Sequence, residues 1–243
     1  MWAASGLLLQ LPIGTSILAD SYTFHWIPVI EAMPRLLGGV VTALEVAAVS
    51  MVGATIIAFC GALAARSARR PLRVASVIYL ESMRNSPSLV KMYFLYFGLG
   101  SFGIYLPPFV AASAALAFQN GAYMMEIVRG SIAAIPVGQR DAARSLGLSP
   151  RQIFFKVILP QALRNALPAL GNNWVEIVKD TSLTSALSVA EVYFVFQSVM
   201  ALDSRVYELL IVLAAIYLIL TAAVSASVQL LERRLGRPYR VTR

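Results

Sequence analysis

The sequence has one cysteine and one histidine in 243 residues. With Cys60 alone, an intrachain disulfide and a cysteine metal site are both excluded. A lone His25 leaves no histidine metal cluster and no second histidine around which a Ser-His-Asp triad could be sought. Charge is also scarce: Asp, Glu, Lys and Arg make up 13% of the chain, against about 25% in a soluble domain. No Gly-x-x-x-x-Gly-Lys-Ser/Thr phosphate loop occurs, so the chain is not itself an ATPase of that kind. Carboxylates for a membrane enzyme reduce to Glu176 and Asp180, four residues apart and without metal ligands beside them.

What the sequence has instead is apolar length. Hydrophobic residues reach 58%, and a bilayer core needs about 20 of them per helix. Residues 40–65 carry one charge, Glu45, while 106–125 and 209–231 carry none. Two weaker runs, 74–102 and 166–202, are interrupted by Glu81, Arg84 and Lys91, and by Glu176, Lys179, Asp180 and Glu191. The pattern predicts an all-α membrane protein with about five spanning helices, near 38–65, 74–99, 106–130, 166–190 and 207–231.

The net charge of +8 points to membrane topology rather than nucleic acid. The bases sit in short clusters between apolar runs, not on one face of a soluble fold. Residues 66–73, 126–164 and 232–243 hold 15 of the 20 Lys and Arg. The positive-inside rule puts these segments in the cytoplasm, with the N-terminus outside and the C-terminus inside. Residues 1–19 carry no charged side chain, but Gln10, Pro12 and Gly14 dilute them. They read as an interfacial helix on the outer side, with a sixth span as the alternative.

The longest cytoplasmic stretch carries the most information. Residues Asp141 to Leu146 form a short helix with alanine at its centre. Gly147 suits the left-handed position that closes a helix, and Ser149-Pro150 is a cap followed by a first-turn proline. Ile153, Phe154, Val157 and Ile158 make an apolar stripe at helical spacing, which Pro160 is expected to end. Small alanines on an exposed helix let another protein approach closely. On physics alone, a docking element and an ordinary amphipathic loop both remain open.

The spacing resembles the EAA motif of binding-protein-dependent ABC importer permeases: Glu-Ala-Ala, three residues, Gly, nine residues, Ile, one residue, Leu-Pro. Here the slots hold Asp141-Ala142-Ala143, Gly147, Val157 and Leu159-Pro160. Asp141 stands for Glu and Val157 for Ile, both keeping the chemistry. The chain is further similar to the polar amino acid branch (histidine, glutamine, glutamate and arginine systems) at Tyr79-Leu80-Glu81, Asn120-Gly121, Glu126, Arg129-Gly130, Pro136-Val137-Gly138-Gln139 and Lys179-Asp180-Thr181-Ser182-Leu183. The usual Arg-Gly-Thr-Pro stretch is Arg84-Asn85-Ser86-Pro87 in this chain.

The resemblance implies a type I importer permease fold with a cytoplasmic coupling helix at 136–160. That helix would sit in a groove of a separate ATPase subunit dimer, which binds ATP and Mg. Gly138, Asp141, Ala142, Ala143, Gly147, Val157, Leu159 and Pro160 are the coupling residues it implies. A second permease subunit, an external solute-binding protein and an amino acid substrate complete the complex. No cofactor or metal is expected on this chain. The division that follows is 1–35 external or interfacial, 36–235 transmembrane domain and 236–243 cytoplasmic tail, in a bacterial inner membrane. A stand-alone secondary transporter or channel would share the composition but would have no reason to carry the docking loop.

Charges within spans usually face protein or water. Glu81 and Arg84, three apart, share a helical face and are placed to pair, and Pro87 should bend that helix. A zwitterionic amino acid needs a donor for its carboxylate and an acceptor for its ammonium. Arg84 or Lys179 offers the first and Asp180 the second; alternatively Lys179 and Asp180 are a structural ion pair. Arg84, Asn85, Ser86, Pro87, Asn120, Lys179, Asp180, Thr181 and Ser182 are the candidate pathway residues, the hydroxyls serving either as pore lining or as helix-packing contacts. Glu126 and Arg129 are expected to pair. The tail arginines would contact lipid headgroups.

Overall fold

The computed structural model describes residues 23–203 and 206–235; the expectations for residues 1–20 and 236–243 fall outside them. Among the described residues every regular element is helical. Helix α1 (Ile27–Ala65) is the spine. Its buried positions Ala43, Ala47, Ser50, Ala54, Ala58 and Ala62 recur every three or four residues and so line one face. Being small, they let α4 (Pro108–Ala133) lie close along α1, where Ala111, Ala112, Ala115 and Ala122 are buried in turn. This is the most extensive helix pairing in the fold. In a bilayer, where apolar transfer does little between helices, such close packing is what holds them together.

Three apolar clusters follow α1 from end to end. Val29, Ala32 and Leu36 meet Val192, Phe196 and Val199 of α8 (Val192–Asp203), together with Leu209 and Leu213 of α9 (Val206–Leu235). Near the middle, Val46 meets Met92, Leu116, Leu187 and Val189. Toward its C-terminus, Ala54, Ala58 and Ala62 meet Met124, Met125, Ile132, Ile153 and Ile177. Outward-facing Val41, Val52, Ile56, Leu218 and Ile219 are exposed, as lipid-facing residues must be when no water competes for them.

The boundaries depart from the predicted spans. Helix α1 starts at Ile27 rather than near 38. The second predicted span is broken: α2 (Arg70–Arg84) and α3 (Ser88–Tyr93) meet at Pro87, and α3 runs into a π-helical turn over Phe94–Gly98. The fourth divides into α7 (Leu159–Asp180), a 3-10 stretch Thr181–Leu187 and a separate α8. By length and composition α1 and α9 can each cross a membrane alone. The helical stretch 150–187 and α8 qualify together as one span bent by 51°.

Pro160 does not end its helix. Between α6 (Pro150–Gln152) and α7 the chain makes a π-helical turn, Ile153–Ile158. That wider turn gives the proline ring room, and such bulges are one way a helix absorbs a residue it cannot fit. The Gln161 side chain supplies a donor nearby, 2.8 Å from the Val157 carbonyl.

Candidate functional site

Helix α5 (Val137–Ser145) projects from the C-terminal end of α4. Its one buried residue is Ala143, which joins Ile153 and Ile158 in the large cluster. The remaining surface is open: Val137 is 69% and Leu146 80% exposed, and Gly138, Asp141 and Ala142 are exposed. Gly147 adopts φ +77°, with its N–H bonded to the Arg144 carbonyl and that of Leu148 to the Ala143 carbonyl. This pair of bonds is a Schellman closure, which requires a left-handed residue. Ser149 and Gln152 then bond reciprocally through side chain and backbone, capping the next helix. Val157, Leu159 and Pro160 lie half-buried in the π turn and α7, on the supporting side of this projection.

A second polar region surrounds the α2–α3 break. The Asn85 N–H closes α2 on the Glu81 carbonyl at 3.1 Å, and Ser86 Oγ donates to the Ser82 carbonyl at 2.7 Å. Lys91 Nζ turns back to donate to the carbonyls of Met83 at 2.6 Å and Ser86 at 2.9 Å. Arg84 pairs with Glu126 on α4, not with Glu81. Its guanidinium carbon also lies 6.0 Å from the Tyr123 ring centroid. Glu81 accepts instead from Asn85 Nδ2 at 2.9 Å. The expected Glu81–Arg84 contact fails because Glu126 gives Arg84 a carboxylate on the adjacent helix. Glu126 also accepts from Arg129 at 3.3 Å. Tyr79 ties α2 to α4 through the Phe118 carbonyl at 2.5 Å. Tyr79, Met83, Ser86, Lys91, Phe94 and Phe118 border an open cleft of about 430 Å³.

The third region is the C-terminal end of α7. Asn120 is buried; its amide nitrogen donates to the Leu116 carbonyl at 3.0 Å, and its oxygen accepts from Asn173 at 3.1 Å. The Asp180 carboxyl lies within hydrogen-bonding reach of Asn120 and electrostatic range of Lys91, Lys179 and Glu176. Lys179 pairs with Glu176 at 2.6 Å, both side chains about half exposed. A Lys179–Asp180 ion pair is thus replaced by one with the residue a turn back, on the same exposed face. Thr181, Ser182, Thr184 and Ser185 each donate to the carbonyl three residues earlier, which satisfies their hydroxyls within the 3-10 stretch.

Glu191, read from the sequence only as an interruption of an apolar run, is wholly buried. Its carboxylate accepts from the Tyr193 and Phe194 N–H groups, each at 2.8 Å, and from the Tyr217 hydroxyl at 2.9 Å. It therefore caps the N-terminus of α8, a place that favours negative charge. Gly39 of α1 passes close by: a Cβ added there would stand 2.8 Å from the Val192 nitrogen and 2.9 Å from the Glu191 carbonyl carbon. Asn120, Asp180 and Ser86 are thereby brought into one neighbourhood through Lys91 and Asn173. Arg84 and Lys179 are each held in an ion pair, with Glu126 and Glu176 respectively. Tyr217 and Lys91 have partners on other elements, and Glu191 caps a helix whose start the sequence pattern does not mark. The one local signal was a charged residue inside an apolar run.

The chain is similar to known proteins over most of its length. Residues 57–237 match the family described as binding-protein-dependent transport system inner membrane component. The chain is 33% identical to the L-cystine transport system permease protein TcyB of Bacillus subtilis (strain 168), over 95% of this chain and 96% of that one. It is 34% identical to the glutamine transport system permease protein GlnP of Escherichia coli (strain K12), over 87% and 98%. Among solved structures, one of an amino acid ABC transporter with histidines superposes with a TM-score of 0.82 at 32% identity, covering 88% of this chain and all of that one. The MetNI methionine ABC transporter, at 20% identity and TM-score 0.72, shares the fold.

Proposed function

The chain belongs to the binding-protein-dependent transport system inner membrane components, as a permease subunit of the polar amino acid ABC importers, and from that premise we propose that it moves its amino acid into the cytoplasm when an ATPase dimer pushes on α5. A subunit of this family spans the inner membrane several times and is not itself catalytic. In the proposed complex, ATP and Mg belong to the ATPase partners. A second permease subunit forms the other wall of the pathway, and a binding protein delivers the amino acid from outside. The N-terminus lies outside and the C-terminus inside, following the basic residues. Residues 36–235 act as the transmembrane domain and 136–160 as the coupling loop.

The observation that carries this reading is the form of α5. It is a nine-residue helix anchored by one small buried side chain and closed at Gly147, with its remaining faces open. A rigid, shallowly rooted projection transmits a push without absorbing it. Gly138, Asp141, Ala142 and Leu146 present the contact surface. Ala143, Gly147, Val157, Leu159 and Pro160 form the root that carries the movement into α7.

Along the pathway, the common chemistry of amino acids is their paired ammonium and carboxylate. Asp180 is the acceptor for the ammonium and the half-exposed Lys179 the donor for the carboxylate. Asn120, Thr181 and Ser182 support them. The Arg84-Asn85-Ser86-Pro87 break, fastened to α4 by Glu126, forms the facing wall. The test is uptake by the reconstituted complex in liposomes against a panel of labelled amino acids, with and without internal ATP. Accumulation that requires ATP and favours polar side chains is expected. Uptake driven by a proton or sodium gradient alone would remove the reading.

A further inference from the structure

Helix α2 ends where the Met83 carbonyl loses its regular backbone donor. Continuing the helix would bring the N–H of residue 87 to the Met83 carbonyl, four residues back. Residue 87 is proline and has no N–H to give. The chain takes up extended geometry there, φ −64° and ψ 144°. A backbone carbonyl left without a partner away from water costs free energy, and a donor from elsewhere in the chain offsets that cost.

The replacement comes from the next helix. Lys91, on α3, is 9% exposed, and its ammonium reaches back to the carbonyls of Met83 and Ser86. Its own backbone N–H bonds the Pro87 carbonyl at 3.3 Å. A cation at the C-terminal end of a helix is also favoured by the helix dipole. The Asp180 carboxyl, at the end of α7, lies within electrostatic range of it. One side chain thus closes α2, holds α3 against it and faces the α7 corner.

We propose that Lys91 is a positioning residue of the transport pathway, its ammonium standing in for the N–H that Pro87 lacks and fixing the α2–α3 break beside α7. The claim that this fixing serves transport rests on reading the Arg84–Pro87 break as a pathway wall. The claim about the hydrogen bonds does not. The Met83 and Ser86 carbonyls only accept, so a side chain without N–H donors cannot substitute, whereas arginine, with several, can.

The experiment is a double-mutant cycle on the full chain, assembled with its ATPase in lipid nanodiscs and read by hydrogen–deuterium exchange over residues 84–94. Lys91→Met is expected to raise exchange there about tenfold, and Lys91→Arg to stay within about twofold of the parent. Pro87→Ala restores a backbone donor for the Met83 carbonyl, so Lys91→Met in that background should regain most of the protection. In liposomes supplied with the binding protein and a 14C-labelled mixture of the protein amino acids, Lys91→Met should lower the maximal uptake rate several-fold. The half-saturating concentration should remain near the parent value. Unchanged exchange in Lys91→Met, or effects of the two substitutions that simply add, would overturn the proposal. A parent complex that takes up no amino acid would overturn the transport reading instead, while the exchange cycle would still decide the role of Lys91.

Discussion

Two helical breaks among the described residues, one after α2 and one after α7, are finished with opposite charges. At the α2–α3 break the exposed end is C-terminal, a set of carbonyls, and the side chain that meets it is the cation Lys91. At the α7–α8 corner the critical end is N-terminal, a pair of N–H groups, and the side chain that meets it is the anion Glu191. Both choices follow the helix dipole. The two breaks differ in how firmly they are enclosed. Glu191 is wholly buried, gains a third donor from Tyr217 on α9, and sits where Gly39 lets the α1 backbone close over it. The α2–α3 break stands beside an open cleft, with half-exposed Arg84 and Glu126 next to it. One break is a sealed corner, and the other is a wall that borders open space.

That contrast sets the order of expected effects. Glu191→Ala strips the acceptor from two part-buried N–H groups and one hydroxyl. It should lower stability by about 3 kcal/mol, read as an earlier midpoint in detergent-titrated unfolding. A loss below about 1 kcal/mol would mean the corner is not held by its cap. Tyr217→Phe removes one donor and leaves the cap itself in place, so about 1 kcal/mol is expected. If it proved as harmful as Glu191→Ala, the tie to α9 would outweigh the cap. Smallest should be Glu126→Gln at the first break. Its pair with Arg84 is more than a third exposed, and such pairs contribute about 0.5 kcal/mol. A large effect there would erase the distinction between a closed corner and an open wall.

Local chemistry was legible in the sequence, and chemistry between helices was not. The Gly147 closure, the Ser149-Pro150 start and the apolar stripe after it were readable because every partner lies within a few residues. The break at Pro87 was visible for the same reason. Pro160 was misread as a stop because a π-helical turn can house a proline that an α-helical turn rejects, and composition does not say which turn will form. The second span's charges were paired with the wrong partners. Glu81 and Arg84 share a face, but Glu126 comes alongside only once α2 packs on α4. Glu191 looked like one charge diluting an apolar run. Its meaning as a cap appears when α8 is seen to begin at the next residue, after a corner that no spacing rule marks.

Coupling through α5 is decided by Gly147→Val. No heavy atom stands within 4 Å of a Cβ built on Gly147, so valine meets no clash there and its whole cost is the left-handed φ, about 1–2 kcal/mol. That strain should loosen the root of α5 while leaving the membrane helices intact. In liposomes containing the complete complex, the ratio of amino acid taken up to ATP hydrolysed should fall at least tenfold, with ATP hydrolysis itself largely retained. A variant that kept the parent ratio would show that the push from the ATPase enters this chain somewhere else.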